Sequence, residues 1–330
     1  MRGAKRLKKV SVAFALIFAA ADAASAAPLP TRDQNPLLAG FGLPTPMPAS
    51  LSNETAWSLA TDFNWGSTAL VQAHGAEALI VDAETQEVRV TIRRTLTNRF
   101  AFQLQIPWRY IGAGSLDGFI NDWHDIFSLP EGARPILPID QMLIAYSRNG
   151  AALMHRDASQ SGVGDISLDF GYALHSTPSS STSAWLSLEL PTGDAAKLTG
   201  NEALDASVIV STTRRFGDRW SVFGQASVSW LGEGDLLPER QRNIVWSGLA
   251  GLSWRAFQPL EFKVQLDAHT AAFNDSELDF LNESIALTVG GTMHFASGWR
   301  IDLAVSEDIA VETAADVVFV IGLRKEAASH

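Results

Sequence analysis

Along much of this chain apolar and polar residues alternate one by one. From Leu260 to His269, the apolar set Leu260, Phe262, Val264, Leu266 and Ala268 interleaves with Glu261, Lys263, Gln265, Asp267 and His269, which gives an extended chain one apolar and one polar face. Phe102, Leu104, Ile106, Trp108 and Tyr110 oppose Gln103, Gln105 and Arg109 in the same way. Trp220, Val222, Ala226, Val228 and Trp230 oppose Ser221, Gln225, Ser227 and Ser229, and Trp299, Ile301, Leu303 and Val305 oppose Arg300, Asp302 and Ser306. The pattern predicts strands near 55–65, 77–97, 100–111, 165–175, 184–191, 203–216, 220–231, 243–256, 260–270, 284–295, 299–308 and 315–324. They number twelve when 77–97 is one long strand, bulged near Asp82 to Thr85.

The connections alternate in length. Short turns fall at Asn98-Arg99, Gly217-Asp218-Arg219, Gln258-Pro259 and Ala296-Ser297-Gly298, with a longer one at Ser176 to Ser183. The segments 112–164, 192–202, 232–242, 271–283 and 309–314 are the loops. Short periplasmic turns, longer extracellular loops and an even strand number are the arrangement of an outer-membrane barrel, and no apolar run after the N-terminal segment approaches the ~18 residues of a spanning helix. The expected fold class is therefore all-β, a transmembrane antiparallel up-and-down β-barrel of about 12 strands.

A soluble barrel with an apolar core alternates too, so the side chains must decide which face is inside. Trp220 and Trp230 share the apolar face, about 33 Å apart along a strand and roughly 25 Å along the axis of a barrel whose strands tilt by about 40°, the height of the band between two aromatic girdles. Trp246 and Trp254 repeat the spacing on a shorter scale, and Trp108, Tyr110, Phe295 and Trp299 sit near strand ends, where an amphipathic ring meets headgroups. Trp108, Tyr110, Trp220, Trp230, Trp246, Trp254 and Trp299 form the expected girdle against outer-membrane lipid. The polar face carries Arg89, Arg93, Arg109, Asp169, Glu189, Arg215, Arg255, Glu261, Lys263, Asp267, Arg300 and Asp302, which as a lumen implies cross-strand ion pairs and trapped water. Arg94 and Arg214 fall on the lipid-facing count close to a turn, where a long side chain can snorkel to the interface.

Composition changes the picture mainly at the N-terminus. Arg2, Lys5, Arg6, Lys8 and Lys9 precede the apolar run Val10 to Ala21 and the sequence Ala24-Ser25-Ala26, which reads as a cleaved signal peptide over residues 1–26. Cutting there removes five cations and Asp22 and leaves 20 basic against 35 acidic residues, a net charge of −15, which argues against nucleic acid as a partner. With no cysteine, disulfide scaffolds, thiolate metal sites and cysteine nucleophiles are excluded. Residues 27–53 form a leader with six prolines between Pro28 and Pro48 and no periodicity, expected as a periplasmic segment or a lumen insert. Residues 54–330 are the single barrel domain.

The 112–164 loop holds one segment of a different period. Phe119, Ile120, Trp123 and Phe127 make a helical stripe, stopped by Leu129-Pro130-Glu131-Gly132, so one short amphipathic helix is expected in this extracellular loop. With His124, these residues are the candidate gate or plug at the barrel mouth. Asp122, His124 and Asp125 do not share one helical face, which argues against a three-ligand metal site.

The leader residues Asn35-Pro36-Leu37-Leu38 and Phe41-Gly42-Leu43-Pro44, the stretch Asp82 to Thr97 running into Arg99 to Pro107, and above all Phe119 to Gly132 with Trp123-His124-Asp125 and Leu129-Pro130 resemble the DUF3187 family of bacterial exported proteins. The resemblance covers residues 33–175 by motif and the remainder by pattern. It implies an outer-membrane barrel of a Gram-negative cell, carries no assigned activity and transfers no functional residues. One departure from the usual barrel is that the last strand runs on into Arg324 to His330 rather than ending on an aromatic residue, the end that the outer-membrane insertion machinery reads. No cofactor is implied.

The leading expectation is a passive channel or binder for small-molecule solutes, with the loop helix controlling access. An outer-membrane lipid hydrolase and a secreted soluble β protein are the alternatives. Barrel phospholipases need a His-x-Ser pair on one side of a strand. His74, His124, His155, His175, His269 and His294 have no serine two residues on, which argues against an enzyme.

Overall fold

The computed structural model describes residues 26–51, 57–127, 133–295, 298–310 and 312–326; the expected signal peptide lies outside them except for its last residue, Ala26. Among the described residues there are fifteen strands: β1 (Trp57–His74), β2 (Glu77–Thr95), β3 (Phe100–Gly112), β4 (Leu143–Arg148), β5 (Ala151–Arg156), β6 (Gln160–Val163), β7 (Ile166–Ser176), β8 (Ser180–Leu190), β9 (Asp205–Phe216), β10 (Trp220–Trp230), β11 (Ile244–Phe257), β12 (Leu260–His269), β13 (Ser284–His294), β14 (Trp299–Asp308) and β15 (Val317–Glu326). The described residues also hold one α-helix, α1 (Asp117–Phe127). No described helix is long and apolar enough to cross a membrane.

Every barrel strand pairs antiparallel with its chain neighbour, and β1 meets β15 from Ser58↔Glu326 to Ser67↔Val317, so the sheet closes as a twelve-stranded barrel. Closure leaves no sheet edge at membrane depth, which is what lets strands satisfy their backbone in lipid. The remaining three strands lie inside the 112–164 segment. The far part of β2 exchanges β3 for β4, which pairs with β5, while β6 continues the line of β7 beside β3. These strands extend the wall beyond the loop end of the barrel.

Two departures from the sequence pattern share one cause. β1 was expected over 55–65 but runs to His74, and its stretch Gly66 to Leu70 is buried throughout because both faces are covered there. Inside lies the leader, and outside lies the segment around α1, so no alternation survives. The expected bulge near Asp82 is absent, since the β1–β2 register runs unbroken from Trp57↔Arg94 to His74↔Glu77. Asp82 and Glu84 point outward beneath the same loop segment, and Glu84 accepts from Trp65 Nε1 (2.5 Å) and from the backbone N–H groups of Ser115 and Leu116 at the entry to α1. A polar residue on the outer face is therefore a loop anchor here rather than a bulge.

The leader fills the lumen. One leg, Ala27 to Gln34, rises from the turn end along β12; a turn at 36–40 sits at the loop end; the other leg, Leu43 to Leu51, returns between β3, β8 and β10. Leu37, Leu38 and Phe41 at the tip pack with Phe273, Phe280, Leu231, Leu236 and Tyr146 into an apolar dome that closes the loop end. Phe41 and Phe273 meet edge to face at 5.5 Å.

Candidate functional site: the filled lumen

A chain segment buried in a polar tube has no neighbouring strand to satisfy it, so its backbone must bond to wall side chains. Prolines at 28, 30, 36, 44, 46 and 48 remove six donors from that demand. Some are met within the leader, as where Leu38 and Ala39 donate to Asn35 O, and others by single wall side chains. Gln265 accepts from Leu29 N (2.9 Å) and donates to Thr31 Oγ1 (2.7 Å), and Lys263 donates to Ala27 O (2.7 Å). On the returning leg Gln225 accepts from Met47 N (2.7 Å) and donates to Thr45 O (3.1 Å), while Ser183 and Trp185 both donate to Pro48 O. Trp185 is the inward-facing exception among the described tryptophan side chains, and Gly171 makes room for it: a Cβ there would fall 2.7 Å from the indole ring.

Arg32 clamps the turn. Its guanidinium donates to the carbonyls of Ala39 (3.0 Å), Phe41 (2.8 Å) and Leu43 (3.1 Å), and lies 3.8 Å from Glu87. Glu87 also holds Arg89 (2.8 Å) and Arg109 (2.7 Å), so one buried carboxylate serves three arginines. At the loop end Asp205 accepts from Gly42 N, Gly232 N and Asn201 Nδ2, and Asp165 accepts from Gly193 N and Asn201 N. Burial pushes the Asp165 carboxyl above its ordinary value, opposed by those backbone donors. Glu77 ties the dome together by accepting from Arg240 (2.9 Å), Tyr146 OH, Ser276 Oγ and Glu277 N.

The twelve charges expected in the lumen all fall on inward positions. Arg89 and Arg109 join Glu87; Asp169 accepts from Gln103 (3.0 Å) and Gln105 (2.8 Å); Glu189 accepts from Ser167 (3.2 Å). Glu261 lies 3.2 Å from His294, Lys263 3.7 Å from Asp302, and Asp302 3.4 Å from Arg324. Asp267 holds Thr31, and Arg93, Arg215, Arg255 and Arg300 are half-buried nearer the turn end. Sequence reasoning missed Glu87, the hub, although it shares parity with Arg89 and its register partner is Arg109. It also missed Arg32, Gln225 and Gln265, which acquire a role only once the leader is inside.

The outer face is apolar and ringed by aromatics. Trp108, Trp230 and Trp246 are exposed toward the loop end, Trp220, Trp254 and Trp299 toward the turn end, and Tyr110 is half-buried against Ser159. Trp254 stacks between Trp220 (6.1 Å) and Phe262 (5.9 Å). Cations sit over this ring at the turn end, with Arg94 5.0 Å from Trp57, Arg214 4.9 Å from Phe216 and Lys325 5.5 Å from Trp299.

The helix at 117–127 is present, but it neither covers nor enters the mouth. Ile120 is fully buried with Leu116 and Val317, against Trp65, Val305 and Phe319 on the outer face of β1, β14 and β15, and Phe119 meets Phe319 at 5.7 Å. Ile120 and Phe119 thus bind the wall from outside, and the leader occupies the lumen in the place expected for a plug. The side chains of Trp123, His124 and Phe127 lie outside the described residues. Arg134 secures the segment by pairing with Asp117 (3.0 Å) and Asp316 (2.8 Å); burial raises the Asp316 carboxyl to about 6, with Arg134 opposing the shift. Among the described residues no group of three metal-ligating side chains converges.

A closed twelve-stranded barrel with an aromatic-ringed apolar exterior and a polar, filled interior has the porin-like fold of outer-membrane channels. The chain belongs to the DUF3187 family, described as a protein of unknown function, whose model matches residues 6–327. Its fold is similar to that of the COG4313 outer membrane channel from Pseudomonas putida F1, at 15% identity and a TM-score of 0.57, covering 84% of this chain and 98% of that one. The NanC porin (7% identity, TM-score 0.45, 83% and 100% covered) and the Ralstonia pickettii toluene transporter TbuX (10%, 0.41, 84% and 90%) are more distant. No curated protein matches the chain.

Proposed function

We propose that this protein is a passive outer-membrane channel for small solutes, exported by a signal peptide removed after Ala26 and held shut by its own leader. The turn end then faces the periplasm and the domed loop end the exterior. The observation that carries the reading is how residues 27–51 are held: by isolated side-chain hydrogen bonds and small apolar contacts from wall to leader rather than by a strand ladder. Such an insert can leave in steps while the closed wall stands. The gating role expected of the helix thus passes to the leader. The fold shared with an outer-membrane channel supports the reading, as does a lumen lined largely by hydrogen-bonding side chains.

The test is single-channel conductance in planar bilayers of the full chain and of a variant lacking residues 28–50. The expected result is rare, brief openings for the full chain and a persistent pore for the deletion. A folded, heat-modifiable deletion variant that conducts no better than the full chain refutes the proposal.

A further inference from the structure

The leader divides the lumen unequally. Against β1, β2 and β3 the wall is charged, with Asp62, Glu87, Arg89 and Arg93, and the space left beside the leader, around Thr91, Arg93 and Gln103, is about 30 Å³. Against β11, β13, β14 and β15 the wall residues that line the other space are uncharged, among them Ser247, Ala286, Ser306 and Val318, and the space is about 90 Å³. Four charged side chains line this larger cavity, and each is engaged. Arg32 holds the carbonyls of the leader turn, Asp33 lies 2.9 Å from His269, and Asp267 accepts from Thr31 and Gln265. One buried polar atom is left over: Oε1 of Gln34, a side chain 1% exposed that lines the cavity, accepts no hydrogen bond. Gln34 is seated against Gly66, where a Cβ would approach its own Cβ to 2.6 Å.

We propose that the space between the leader and the β11–β15 wall is a solute site. Its ligand class is a compact, uncharged molecule with an apolar body and one hydrogen-bond donor, such as a short alcohol or amide. This deepens the channel reading and rests on it for the solute's passage, though not for its binding. The apolar body lies against Leu38, Leu43, Ala286, Ala315 and Val318, and the donor meets Gln34 Oε1, an acceptor otherwise buried at a cost of about 1–3 kcal/mol. An ion entering here would lose hydration with no free counter-charge to receive it. An engineered cavity of about 150 Å³ holds benzene, so a resident solute here has only a few heavy atoms, and anything ring-sized must push the leader aside. The charged wall and the polar residues of β10 and β12 then anchor the leader, and the uncharged faces of β11 and β13–β15 are the side on which solutes move.

The absence of cysteine makes a direct test clean. Ala286→Cys and Ser306→Cys report the neutral wall, and Thr91→Cys the charged one. Each is exposed, in folded detergent-solubilised full-length protein, to methyl methanethiosulfonate and to cationic and anionic methanethiosulfonates. The neutral reagent is expected to modify the first two variants about ten-fold or more faster than either charged reagent, and faster than it modifies Thr91→Cys. Ala286→Cys and Ser306→Cys rates equal for neutral and charged reagents overturn the proposal, as do faster modification of Thr91→Cys or no modification at either neutral-wall position. Because labelling needs no conduction, a failure here leaves the channel reading standing, whereas a silent leader deletion removes that reading and leaves this site.

Discussion

Arg32→Ala is the sharpest perturbation of the closed lumen. The substitution strips three donors from the carbonyls of Ala39, Phe41 and Leu43 at the turn that joins the two legs of the leader. It does not strand Glu87, which keeps Arg89 and Arg109, so the large penalty of an uncompensated buried charge is avoided. What remains is three hydrogen bonds from a charged donor, and at about 1 kcal/mol net for each the leader loses about 3 kcal/mol of hold. If closure is a two-state equilibrium between seated and released leader, that loss multiplies the open-to-closed ratio by about 150. Single-channel recording reads the ratio directly, with heat-modifiable gel mobility showing that the barrel itself is intact. Arg32→Lys, which retains the charge but not the planar fork, should fall between the two. An open probability unchanged in folded Arg32→Ala refutes the view that this turn holds the channel shut.

Other substitutions separate the remaining parts. Glu77→Ala removes the shared acceptor of Arg240, Tyr146, Ser276 and the Glu277 N–H and leaves Arg240 buried without its carboxylate. A loss of about 3–5 kcal/mol is expected in the dome, seen as faster proteolysis within 231–242 and 271–283 while the barrel resists heat as before. Ile120→Ala should free α1 from the outer wall at a cost of about 2–5 kcal/mol, read by hydrogen exchange over 117–127, and leave conductance unchanged; a conducting Ile120→Ala would restore the helix as a gate. The Asp316 carboxyl, raised by burial from 3.8 to about 6, favours the protonated form in the folded state. Its contribution is therefore fully present below pH ~4 and lost as the pH rises through about 6. The midpoint of heat modification of the folded barrel should fall between pH 4 and 7, and Asp316→Asn should flatten that profile.

How much of this was readable beforehand follows from what each residue touches. Where a strand faces lipid on one side and polar lumen on the other, as Leu260–His269 does, alternation reports both surfaces, and the strand appears within a residue or so of its expected place. Where a strand is covered on both sides, as β1 is from Gly66 to Leu70, the two faces have no contrast to report, and the element disappears from the pattern although its pairing is regular. Outward carboxylates such as Asp82 and Glu84 read as a break for the same reason: the pattern assumes that every outward residue meets lipid, and these meet a loop. The helix stripe at Phe119 and Ile120 was legible as amphipathic, but amphipathicity names a face to be buried and not the surface that buries it; β15's outer residues supplied one as well as the mouth could have.

The leader is the extreme case, because a segment without secondary structure advertises nothing by periodicity. Its prolines do carry the signal in another form. In solvent, six prolines within 28–48 only stiffen a linker, but inside a polar tube each one is a backbone N–H that no wall residue has to satisfy. The complementary signal is on the wall, where long amides stand on the inward face: Gln103, Gln105, Gln225 and Gln265 each reach the leader or a neighbouring wall carboxylate, offering a donor and an acceptor from a single uncharged side chain. A proline-rich leader ahead of a barrel whose inward positions are rich in glutamine is thus a pair of matching halves. Exchanging Gln225 and Gln265 together for leucine should keep the barrel while unseating the leader, since each loses at least two bonds to it. At about 1 kcal/mol per bond the release should equal or exceed that of Arg32→Ala in the same recording. A double variant that stays closed would mean that the dome alone holds the leader.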